Sequence, residues 1–367
     1  MKRVCTLCKR ISEDGNLWCQ EYDCPAEDMP IVFGYGQYLG DVKVVHLRQV
    51  LRTSAFYEAE RNNETVLLKV AHKGCESQLR QEADILRQLP HAGKSPLFSM
   101  LPTLLPAYRE STTERHAYGK AIVEGETVYY EVFAHIEGEF LRDMLTKNPQ
   151  PWYEHAAWLV TGIADLVAFF NSRLKRLHLM ISPEIILVRT DDDGIPRPVL
   201  MDLGMMINET LPEHVEWLHY FGAPAYTAPE LTYITPAMKD RILPASPASD
   251  VYGLGILLYE MLAGRPVYEY RSRRDLEIRE AVRSYKAAAL ARRDLPEEIQ
   301  VIIERAISKA PRERYQDVAA FTSDLRRHFG EVPAEKKRRP ADQRLLIALT
   351  AGALVVAVLV LLAAFLG

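Results

Sequence analysis

The stretch from His178 to Gly204, HLMISPEIILVRTDDDGIPRPVLMDLG, constrains the fold of this chain more than any other. Ile185-Ile186-Leu187-Val188 is a run of branched apolar residues that predicts a strand, and Val199-Leu200-Met201 predicts a second. Between them, Asp191-Asp192-Asp193-Gly194 supplies residues that suit tight, left-handed turn backbone. The second strand then releases a single carboxylate, Asp202, directly before Leu203-Gly204. Two short strands that end on polar groups are expected to present those groups into a cleft.

A chain of 367 residues with 48% hydrophobic content can bury one large core or two moderate ones. Its formal charge of −4 carries no global basic signal, so nucleic acid is not an expected partner. Four of the five cysteines crowd the first two dozen residues, which is unlike a secreted disulfide framework. No apolar run follows the basic residues of MKRVCTLCKR, so no signal peptide is expected.

Cys5-x2-Cys8 and Cys19-x4-Cys24 form two short pairs that can fold back until four thiolates meet at tetrahedral distance. Zinc bound there would supply folding energy that so short a segment cannot draw from a core. Four sulfur ligands leave no open position, which makes such a site structural. The other reading is a set of unligated or disulfide-bonded thiols. Cys75 stands alone and is expected to be a small, partly buried residue. Residues 31–41 read as a linker.

From Val42 the pattern turns to strands, VKVVHL, AFYEAE and TVLLKVAH, with Arg61-Asn62-Asn63-Glu64 as the turn between the last two. Lys69 lies inside the apolar run Val66-Leu67-Leu68-Lys69-Val70, where a charge needs a partner. Glu82 offers one, beside the Leu79, Ala83, Leu86 stripe of a helix expected over Glu76 to Leu89. The other reading of Lys69 is a snorkelling surface residue. Prolines 90, 96, 102 and 106 break residues 90–120. AIVEGETVYYEVFA then reads as a hairpin, Pro151 to Leu174 as one long helix, and Met205 to Tyr226 as a loop.

Taken together, these segments resemble the serine/threonine protein kinases of bacterial type. The resemblance covers about Val42 to Phe329. A strand lysine with a helix glutamate matches that family's Val-Ala-Ile-Lys and helix Glu. His178 to Ile185 stands where the family has His-Arg-Asp-Leu-Lys-Pro-Glu-Asn, and Asp202-Leu203-Gly204 where it has Asp-Phe-Gly. Gly222 to Glu230 matches its Gly-Thr-Pro-x-Tyr-x-Ala-Pro-Glu with Ala223 in place of Thr, and Ser249 to Leu262 matches its buried central helix.

The resemblance implies an α+β, bilobal fold with a small β-rich lobe and a helical lobe. It implies that Lys69, Glu82 and Asp202 serve ATP binding, with Asp202 on Mg2+, and that hinge residues 133–138 hold adenine. A surface hairpin is the other reading of that hinge. It also implies structural roles for Asp250, beneath the catalytic loop, and for an Arg314–Glu230 ion pair. The family's catalytic Asp, Lys and Asn positions hold Met180, Ser182 and Ile185. A thioether cannot take a proton at neutral pH and an alkyl group cannot bind a hard cation. The family's phosphate-loop glycines align with Gln49, Leu51 and Ser54, whose side chains would block close approach of backbone to phosphate.

Leu345 to Leu366 is 22 residues without a charge. At 1.5 Å per residue it reaches roughly 33 Å, enough to cross a bilayer core. The basic residues Lys336, Lys337, Arg338, Arg339 and Arg344 precede it and predict a cytoplasmic flank. A buried core helix is the other reading. Only Gly367 follows, so anchoring by the tail with no external domain is expected.

The expected organisation is therefore a zinc-ribbon-like segment (1–30), a linker, a kinase-like domain (42–330), a basic juxtamembrane linker (331–344) and a transmembrane helix (345–366). The expected function is a membrane-anchored pseudokinase that scaffolds cytoplasmic protein partners, with ATP binding retained through Lys69, Glu82 and Asp202. An active Ser/Thr kinase with displaced catalytic groups and a nucleotide-free interaction module are the alternatives.

Overall fold

The computed structural model describes residues 2–335, apart from 7, 13–18, 22–23, 25, 27–28, 90–94, 209–211, 234, 236, 239–242, 269–273 and 285–296. The apolar run 345–366 lies outside the described residues. Among the described residues, no helix is long and apolar enough to cross a membrane.

The chain opens with three short strands, β1 (Lys2–Val4), β2 (Ile11–Ser12) and β3 (Ile31–Val32), joined antiparallel in the order β2-β1-β3. β4 (Tyr38–Leu39), β5 (Val42–Val50), β6 (Ser54–Arg61) and β7 (Glu64–Ala71) begin the main sheet. Residues 31–41 thus carry two strands, β3 in the first sheet and β4 in the second, where the sequence read as a linker. Asn62 and Asn63, both at positive φ, make the two-residue β6–β7 turn, as Asn readily does.

Helix α1 (Glu76–Gln88) packs with the inner face of the sheet, and β8 (Leu104–Leu105), β9 (Gly119–Val123) and β10 (Glu126–Ala134) complete the sheet. The strand order is β4-β5-β6-β7-β10-β8, with β9 also paired to β10. β8 and the first two residues of β9 fall within 90–120, where the prolines suggested no long element.

The second lobe follows with β11 (Glu139–Phe140), α2 (Leu141–Lys147) and α3 (Tyr153–Phe169), which runs on through a π-turn to Leu174. The stretch from His178 to Gly204 carries β12 (Ile186–Thr190) and β13 (Pro196–Leu200), paired antiparallel beside β11. β13 accommodates Pro196 and Pro198 because it is an edge strand whose outer groups need no donor. The 205–226 loop contains a helix, α4 (Pro212–Phe221).

Helix α5 (Pro247–Ala263) is capped by a reciprocal Ser246–Ser249 pair, has Pro247 in its first turn and ends at Gly264 with φ 68°. It is apolar on nearly every face and is buried at the centre of the lobe. α6 (Asp275–Ser284), α7 (Glu297–Ala306) and α8 (Val318–Phe329) surround it. One apolar cluster runs continuously from the inner face of the main sheet into this helical lobe. A second joins the sheet's outer face to the N-terminal strands through Val4, Val32 and Phe33.

Candidate functional site: the cleft between the lobes

Strand alternation decides which side chains enter the cleft. On β6, β7 and β10 the residues Tyr57, Leu68 and Val132 and their i±2 neighbours face the outer cluster. The alternate residues Phe56, Leu67, Lys69, Glu131 and Phe133 share the inner face. Register places Phe56 and Glu131 on either side of Lys69 and sets Leu67 opposite Phe133.

The three residues assigned to nucleotide binding do come together. Lys69 Nζ donates to Glu82 Oε2 on α1 and, at 2.6 Å, to Asp202 Oδ1, and all three side chains are buried. The approach of α1 depends on Gly204: a Cβ there would stand 2.2 Å from the Gln78 carbonyl oxygen. Burial alone would push the Lys69 amine down, but the Asp202 and Glu82 carboxylates override it and hold it above its ordinary value.

Glu131 is a fourth member that motif matching does not reveal. It is fully buried with no hydrogen-bond partner on either oxygen. One ammonium cannot compensate three carboxylates, and burial together with the Glu82 charge pushes the Glu131 carboxyl well above the usual range. Its proton is bound more tightly in the folded chain than in the unfolded one. The associated stability is present at acid pH and is lost as pH rises through the folded-state value. Glu131→Gln should therefore stabilise the protein at pH 7–8, where the unpartnered carboxyl is under most pressure to ionise. Urea unfolding at pH 5 and pH 8 should show the gain mainly at the higher pH, and a loss at pH 8 would contradict it.

The frame beneath the catalytic loop is also in place. Asp250 on α5 accepts from the backbone N–H of His178 at 3.1 Å and of Leu179 at 2.7 Å, and from Asn171 Nδ2 at 2.9 Å. This clamp holds Leu179 at φ 61°, a conformation that bulky residues seldom adopt. Arg314 meets Glu230 with two bonds of 2.8 and 2.7 Å and also donates to three backbone carbonyls.

Met180, Ser182 and Ile185 are all buried and, with Leu51, Thr53 and Ala225, line a small cavity of about 90 Å³ beside Asp202. Glu184, the nearest carboxylate, is turned to Arg142 at 2.6 Å. Its burial would raise its pKa, yet the guanidinium holds it below its ordinary value, making it a poor base. Asp191 is likewise committed, to Arg197 at 2.7 Å and to its own turn.

The loop at Gln49 to Ser54 is folded down onto the helical lobe. Gln49 Nε2 donates to the Glu184 carbonyl at 3.3 Å, Arg52 meets Asp275 of α6 at 2.8 Å, and Thr53 Oγ1 reaches Asp202 Oδ2 at 3.4 Å. A purine held by the hinge and directed at Lys69 would have to lie under the sheet's inner face. That space is filled. Phe56, Leu67, Phe133 and Leu187 are each at most 1% exposed and belong to one apolar cluster, and Phe56 packs on Phe140 with ring centroids 5.7 Å apart. Lys69 and Asp202 are the residues that would take phosphate and Mg2+, but this arrangement does not accommodate the base. The family alignment itself held the signal: Phe56 and Leu67 stand where its motifs have the smaller Val and Ala.

A second site lies in the connections between the N-terminal strands. Cys5, Cys8, Cys19 and Cys24 bring their sulfurs within 4.8 Å of one another, with Cys5–Cys24 at 3.7 Å and Cys8–Cys19 at 3.4 Å. Sulfurs at the corners of a zinc tetrahedron lie about 3.8 Å apart, given bonds near 2.3 Å, whereas a disulfide would need about 2 Å. The knuckle is shaped by the Cys5 N–H to Arg10 carbonyl bond of 2.9 Å and by the Cys8 N–H directed at Cys5 Sγ. These four thiols can hold a metal ion. Cys75, at the N-terminus of α1, is buried.

Similarity to known proteins follows the same landmarks. Serine/threonine-protein kinase PknD of Chlamydia caviae is 25% identical over 273 residues, 69% of this chain and 26% of that protein. PrkC of Bacillus subtilis is 24% identical over 215 residues, 59% and 31% of the two chains. PknL of Mycobacterium tuberculosis is 27% identical over 209 residues, 57% and 49%. The chain thus spans between about a quarter and a half of the length of these relatives. Residues 59–325 match the protein kinase domain, beginning just past the altered phosphate loop. With the β-rich lobe, the clamped catalytic loop and the Lys69–Glu82–Asp202 cluster in place, the chain belongs to the protein kinase domain family.

Proposed function

We propose that this chain is a pseudokinase, a kinase-fold module that works by binding other proteins and not by transferring phosphate. The observation that carries this reading is the catalytic loop, where Met180, Ser182 and Ile185 replace the proton acceptor, the phosphoryl-stabilising cation and the second metal ligand. Loss of a general base alone costs roughly a hundredfold to ten-thousandfold in rate. The filled space under Phe56 and Leu67 favours a module that works without nucleotide. The surviving Lys69–Glu82–Asp202 cluster then acts as a structural strut between α1 and the second lobe.

The four-cysteine cluster is read as a structural zinc site, supported by its ligand set and sulfur spacing. The uncharged run Leu345 to Leu366 and the basic residues before it support anchoring to a membrane with the kinase-fold domain on its cytoplasmic side. Partition into the membrane fraction, lost when 345–366 are removed, is the expected behaviour.

The direct test incubates the purified protein with labelled ATP, Mg2+ and protein acceptors. No transfer above background is expected. Robust labelling that disappears in Lys69→Met would overturn the proposal in favour of an active kinase with displaced catalytic groups.

A further inference from the structure

The cysteine knuckle does not stand apart from the kinase-fold domain. Thr6, between Cys5 and Cys8, lines the cavity beside Asp202 together with Leu51 and Arg52 from above and Met180 and Ser182 from below. Lys9, immediately after Cys8, adopts φ 61°. Its Nζ donates to Gln49 Oε1, and Gln49 in turn donates to the backbone of the catalytic loop at Glu184. The Lys9 charge faces the carboxylates of Asp143 on α2 and of Glu184, with Arg142 the nearest cation beside them. One short turn therefore meets the loop of the β-rich lobe, borders the cavity at the catalytic loop and sets its charge toward α2.

The position of that turn is set by the thiols. Left-handed backbone at a lysine is unfavourable without outside support, and Lys9 directly follows the Cys5–Cys8 pair that brackets Thr6. A bound metal fixes the Cys5-to-Cys8 turn and so fixes where Thr6 and Lys9 project. We propose that the knuckle is a metal-dependent latch. With metal bound, Thr6 and Lys9 occupy the mouth of the cleft, pin Gln49 against the catalytic loop and keep the lobes closed. With metal lost, the loop at Gln49 to Thr53 lifts and the cleft becomes accessible to another protein segment. The latch rests on the metal reading of the four cysteines, and is independent of whether nucleotide binds.

Backbone hydrogen exchange on the full-length protein tests it, with metal content measured by elemental analysis. Chelation should speed exchange of amides in 49–53 and 182–185 roughly tenfold or more, as expected when a charge-assisted hydrogen bond is lost. Amides of α3 and α5 should be unchanged, which separates latch release from global unfolding. Lys9→Glu should give the same acceleration while keeping one zinc per chain. Purified protein that contains no metal would overturn the metal reading. Bound metal whose removal, and Lys9→Glu, leave 49–53 and 182–185 unaltered would overturn the latch alone.

Discussion

Replacing Arg314 by alanine should lower the unfolding free energy by about 3–5 kcal/mol, the usual cost of leaving one half of a buried ion pair behind. Arg314 is 1% exposed and its partner Glu230 is itself buried. Glu230 would keep only the Ser249 hydroxyl, at 2.8 Å, as a donor. The carbonyls of Ser308, Lys309 and Ala248 would lose a donor as well. The fall should appear in the denaturant midpoint. Replacing both partners, as Arg314→Met with Glu230→Leu, should recover much of the loss, since no uncompensated charge remains. A change below about 1 kcal/mol for Arg314→Ala would mean that the pair is far more hydrated than its burial indicates.

The second large effect concerns the filled purine space. Leu67→Ala should cost about 2–5 kcal/mol, because it removes buried methyl groups and leaves a cavity that β7, held on both sides in the sheet, cannot collapse to fill. Adding Phe56→Val should enlarge that cavity up to Phe140. The unaltered protein should show no rise in melting temperature with ATP or adenosine. The double variant should gain one, since ligand at a hundredfold excess over its dissociation constant adds about 2.7 kcal/mol of stability. If the double variant does not fold, Leu67→Ala alone provides the smaller opening. A rise of several degrees in the unaltered protein, abolished by Asp202→Ala, would show that the slot opens readily and that nucleotide is a natural ligand.

These expectations differ in how far they could be read in advance. Hydrophobic alternation and Asn and Gly at turns are local signals, and they located β5 to β7, α1 and the β12–β13 hairpin within a few residues, while the family resemblance located α5. Lys69 could be paired with Glu82 because a lone charge in an apolar run has few ways to be satisfied, whereas the Arg314–Glu230 pair was implied by the family resemblance. The resemblance placed Met180, Ser182 and Ile185 at the family's catalytic positions, where they offer neither a carboxylate, a cation nor an amide.

What tertiary structure decided is how these pieces face one another. Glu131 enters the Lys69 cluster only because β10 pairs with β7 in one register, and a shift by one residue would point it outward. Phe56 and Leu67 fill the purine space only because the same face of the sheet closes onto Leu187 and Phe140. The knuckle reaches the cleft because β3, in residues that read as a linker, ties the N-terminal strands to the sheet's outer cluster. Residue chemistry and local period are written in the sequence one stretch at a time. Which stretches meet is fixed by packing between residues more than a hundred positions apart, as Lys69 and Asp202 are.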